Sequence, residues 1–66
     1  MEKRTNQMCY HEKTKTFFRV TKHGDYLTHV QKIKGILPDE KLTILPVHAL
    51  LHTNELYFYP WIIGDK

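Results

Sequence analysis

The chain has 66 residues, 41% of them apolar and 26% charged, with a formal net charge of +3 and a single cysteine. A chain this short buries only about 60% of the surface its unfolded form exposes, so it has room for one core and none for a deep, doubly lined cleft. That size argues against an enzyme, the ordinary apolar fraction argues against disorder, and one thiol excludes the intramolecular disulfides on which small secreted domains depend.

Residues 1–14 are polar and lack a periodic apolar face, so they are expected to be loosely ordered, with Met8 and Tyr10 on one side of a short strand at most. Residues 1–16 carry charges but no apolar run, which is not how a signal peptide reads. Thr16 to Thr21 reads as a strand, because β-branched and aromatic residues alternate there with Arg19 and Thr21. Lys22-His23-Gly24-Asp25 follows as a turn, with Gly24 providing the permissive backbone of a tight reversal.

Tyr26 to Lys34 fits two descriptions. Asp25 as N-cap, Gly35 just past the end, and Tyr26, Val30, Ile33 and Leu37 on one face describe a helix. Tyr26, Thr28 and Val30 alternating inward describe the second strand of a hairpin, with a bulge needed before Ile33. The weak helix formers in this stretch and the preceding turn favour the strand.

Leu37-Pro38-Asp39-Glu40 reads as a turn, and Lys41 to Leu45 as a strand ended by Pro46 or set at a sheet edge. Val47 to His52 is a further short apolar segment, either a strand or one to two helical turns. Thr53-Asn54 is expected to be a two-residue turn leading into a final strand, Glu55 to Ile63. Its apolar run, Leu56 to Ile63, is too short to span a membrane and contains Pro60. The expected fold is mainly β: one domain over residues 1–66, an antiparallel sheet or partly open barrel of four to five short strands. The alternative is α+β, with one helix at about 25–34 packed on the sheet.

Charge is unevenly placed. Residues 1–34 hold eight Lys or Arg against three Asp or Glu, a balance of +5, and residues 35–66 hold two against four, a balance of −2. Lys13, Lys15, Arg19, Lys22, Lys32 and Lys34 are therefore the candidate phosphate contacts if the chain binds nucleic acid. They are spread singly rather than clustered, which is also how a solvated face looks.

Five histidines invite a metal reading. Cys9, His11, His48 and His52 offer one sulfur and three nitrogens, a set zinc accepts. On a helix His48 and His52 lie one turn apart; on a strand they lie about 13 Å apart, too far to share an ion. No metal or other cofactor is expected on balance. No catalytic residue is assigned either, since Cys9 has no base fixed beside it, the three glycines are isolated, and Asp39-Glu40 is explained by a turn.

The aromatic strand is the stronger feature. Alternation puts Tyr57 and Tyr59 on one face and Leu56 and Phe58 on the other, with the face of Trp61 left open by Pro60. Pro60 lacks an N–H, which places this strand at an edge where a partner can add. Tyr57, Tyr59 and Trp61 are the candidate partner-binding residues. The expected function is a small, basic, non-enzymatic cytoplasmic protein that docks on a larger protein and modulates or inhibits it, as phage and mobile-element accessory factors do, or that self-associates through an edge strand, without a membrane. A small nucleic-acid-binding β-barrel is the first alternative and a zinc-stabilised mini-domain the second.

Overall fold

The computed structural model describes residues 4–35 and 41–63. Five strands form one open antiparallel sheet: β1 (Gln7–His11), β2 (Thr16–Lys22), β3 (Leu27–Lys34), β4 (Thr43–His52) and β5 (Leu56–Ile62), in the order β4-β3-β2-β1-β5. The mainly β expectation holds, and 25–34 contributes a strand rather than a helix. β1 lies inside the segment expected to be loosely ordered, and it is flanked by β2 on one side and β5 on the other. The turn expected at residues 37–40 lies outside the described residues.

Of the two places expected for Pro46, a strand end or a sheet edge, the edge holds, and β4 runs through it. Thr53-Asn54 is not the expected hairpin turn, because Thr53–Glu55 is a 3₁₀ turn joining the two outermost strands. Pro46 is tolerated because β4 is an edge strand and bulges there. Two steps along β3, Gln31 to Ile33, face four along β4, His48 to Ile44. The same device recurs at the other edge, where two steps from Gln7 to Cys9 face four from Ile62 to Phe58 around Pro60.

The 3₁₀ turn fixes the shape of the sheet. In a flat sheet the edges of five strands stand about 19 Å apart. Four Cα steps, His52 to Leu56, reach at most about 14 Å even when extended. The sheet must therefore roll, in the sense that the ordinary twist of about 20–25° between neighbouring strands provides. Both edges then pack on one core. Cys9, Phe18, Val20 and Val30 are buried together, with Ala49 and Leu51 from β4 and Leu56 and Phe58 from β5 against them. The register builds two facing rows, Phe58–Cys9–Phe18 and Val20–Val30–Ala49.

Hydrogen bonds lock the roll. The Thr53 N–H donates to the Tyr26 carbonyl at 2.8 Å, and the Thr53 hydroxyl donates to the Gly24 carbonyl at 2.8 Å. With that proton committed, the fully buried Thr28 hydroxyl is the donor in its 2.7 Å contact with Thr53 Oγ1. Gly24 is required by space rather than by a left-handed backbone, since a Cβ there would run into the Leu27 carbonyl.

Thr53→Val keeps the side-chain shape but leaves the Thr28 hydroxyl and the Gly24 carbonyl without this partner. The expected loss is about 1–3 kcal/mol in urea unfolding. Adding Thr28→Val is expected to recover part of it, because the stranded donor is then gone.

Candidate aromatic docking surface

Strand alternation sends Cys9, Phe18, Leu56 and Phe58 to the core and their neighbours to the outer face. On that face five aromatic rings form an unbroken series. Tyr10 of β1 meets Phe17 of β2 with centroids 4.7 Å apart, Phe17 stacks on Tyr59 at 6.2 Å, and Tyr59 touches Tyr57 edgewise at 4.9 Å. Trp61 lies nearly parallel to Tyr59, 9° between planes and 5.0 Å between centroids. The question Pro60 left open is thus answered: Trp61 stays on the tyrosine side across the bulge. Tyr57 is 64% and Trp61 59% exposed, whereas Tyr10, Phe17 and Tyr59 are half-buried and brace them.

A buried amide holds the bulge. Gln7 Nε2 donates to the Tyr59 carbonyl at 2.7 Å, and Gln7 Oε1 accepts the Arg4 N–H at 3.2 Å. Beyond the bulge the Ile63 N–H donates to the Asn6 carbonyl at 2.8 Å, so the strand is tied on both sides of Pro60. Tyr10, Phe17 and Gln7 were not among the residues singled out from the sequence. Tyr10 and Phe17 had a signal, their outward parity against Cys9 and Phe18; Gln7 had none.

Of the six candidate phosphate contacts, alternation places Arg19 on this face beside Phe17, and the other five are spread over the β1–β2 turn, the end of β2 and β3. Lys13 pairs with Glu55 at 2.7 Å, and Lys15 sits in the β1–β2 turn. Arg19 is engaged by Asn6 Oδ1 and, at 2.5 Å, by Gln31 Oε1, so its guanidinium ties three parts of the sheet together. Lys22 ends β2, and Lys32 and Lys34 lie on β3.

Nor does the zinc set assemble. Cys9 and His11 are buried on β1, His48 and His52 are exposed on β4, and β2 and β3 lie between. Among the described residues no three His, Cys, Asp or Glu side chains are placed to hold a metal. His11 is instead a structural link: Nδ1 meets Thr14 Oγ1 at 2.8 Å and Nε2 donates to the Glu55 carboxylate at 3.2 Å. Burial pushes the Cys9 thiol up to about 12, which removes the thiolate that nucleophilic chemistry needs.

No helix among the described residues is long and apolar enough to cross a membrane. No family model matches this chain, and neither a curated protein nor a solved structure does.

Two expectations follow. Cys9 is expected to resist Ellman's reagent at pH 8 in the folded protein and to react promptly in urea; prompt labelling without denaturant contradicts its burial. Glu55 is held below the ordinary carboxylate range, first by the Lys13 hydrogen bond and then by that of His11. A depressed folded-state pKa stabilises above the unfolded value of about 4.3 and loses that contribution as pH falls through the folded one. Glu55→Gln should therefore be less stable than wild type near neutrality, with the gap closing in acid, as followed by thermal melts across pH.

Proposed function

We propose that this chain is a non-enzymatic binding module that docks on a larger protein through the outer face of β1, β2 and β5. The observation that carries this reading is the exposed series Tyr57–Tyr59–Trp61, buttressed by Tyr10 and Phe17 and turned away from the core. Aromatic rings held rigidly by their neighbours bury large area on contact and lose little side-chain freedom, which is why such residues dominate interface energetics. β5 contains no charged residue, so docking there desolvates no unpaired charge.

A single-strand nucleic-acid platform also uses exposed rings, but it needs cations along the path of the phosphates. The dispersion of Lys13, Lys15, Arg19, Lys22, Lys32 and Lys34, with Lys13 and Arg19 already engaged, supports the protein reading over that one.

The test is affinity capture of a stoichiometric partner from nuclease-treated lysate, repeated with Tyr57→Ser/Trp61→Ser. Both side chains are largely exposed, so the double variant is expected to keep the wild-type unfolding midpoint. It should weaken binding by about 30-fold or more, the effect of losing roughly 2 kcal/mol of hot-spot contact. Capture that survives the double variant, or that vanishes with nuclease alone, overturns the reading.

A further inference from the structure

β4 is the longest strand, ten residues from Thr43 to His52, and its outer side pairs with no strand among the described residues. Edges of this kind are normally guarded by charge, yet β4 contains no Asp, Glu, Lys or Arg. Its one guard, Pro46, sits within the bulge. Beyond it, His48 to His52 run in unbroken register with β3. Apolar side chains crowd the same place: Val47 is 49% and Leu50 50% exposed, and Leu27 stands opposite His52 on β3.

The pattern of this segment is self-complementary. His48-Ala49-Leu50-Leu51-His52 reads almost the same in both directions about Leu50. Ala49 and Leu51 pack toward the core while Leu50 faces water. A two-fold contact demands this property, because whatever residue i meets on its partner must meet i in return.

We propose that β4 is the contact between two copies of this chain, paired antiparallel about a two-fold axis at Leu50 to make one continuous sheet. In that register Leu50 meets its twin on the outer face, and His48 stands beside the second copy's His52. On the inner face the small Ala49 fits beside the larger Leu51. The lysines of β3 lie away from the axis: Lys32 falls in the register shift between Gln31 and Ile33, and Lys34 pairs with Thr43 at the far end of β4. The net charge of +3 opposes approach of two copies elsewhere, whereas this strand adds no charge of its own. The inference does not rest on the aromatic surface, since β5 lies at the other edge of the sheet.

Sedimentation of the full chain from micromolar to millimolar concentration tests it. The mass is expected to rise from 7.9 kDa toward twice that value. Leu50→Lys and Leu50→Glu should each stay monomeric, because like charges then face each other across the axis. An equimolar mixture of the two should associate again, because Lys then faces Glu, and Leu50→Met should behave as wild type. A wild-type chain that stays monomeric at millimolar concentration overturns the proposal. So does a Leu50→Lys chain that associates as wild type does, or a mixture that stays at half mass.

Discussion

Three residues, Thr53 to Glu55, reconcile two edge strands that a flat sheet would hold far apart, and the other features of the molecule follow from that constraint. The turn bonds on one side to the entry of β3, through Gly24, Tyr26 and Thr28. On the other it bonds to the exit of β1, through the Glu55 carboxylate on His11 and Lys13. The Lys13 pair is largely in water and adds little. The Thr28 and His11 contacts lie where water is excluded, and a lost partner there carries the full desolvation penalty. Closure thus rests on a few buried polar contacts rather than on a deep apolar interior.

The core that results is thin. Six apolar residues are buried among those described, against eight large apolar side chains left exposed. That imbalance is what a small rolled sheet produces, since one face closes on itself and the other is covered by no further element among the described residues. Most of the exposed side chains fall into two regions, the aromatic face of β5 and the uncharged edge of β4. Each edge strand also carries a proline in a bulge, which limits how far another strand can add.

Much of this was legible in residue order. The alternation of β2 and β5 gave their inward and outward faces, and the broken alternation at Ile33 marked a real register shift in the β3–β4 pairing. What the pattern hid has physical reasons. β1 is short and polar in composition, and only its neighbours β2 and β5 bury Gln7, Cys9 and His11. Pro46 allowed either a strand end or a sheet edge, and spacing alone did not choose; the edge holds because the N–H that Pro46 lacks has no ladder partner there. The 53–55 turn looked like a hairpin because spacing reports nothing of which strands a turn joins. Among the site residues, Tyr57 and Tyr59 followed from alternation, and Trp61 keeps their parity across a bulge that is held by Gln7, 52 positions away from Tyr59.

Rolling the sheet places the core on one face and leaves the aromatic series on the other, in water. Trp61 is the only tryptophan in the chain, so its fluorescence reports on that face directly. Emission from the folded protein should be red-shifted and quenched by acrylamide almost as readily as in urea. Blue-shifted emission shielded from acrylamide in the isolated folded chain would place the indole inside and contradict the account.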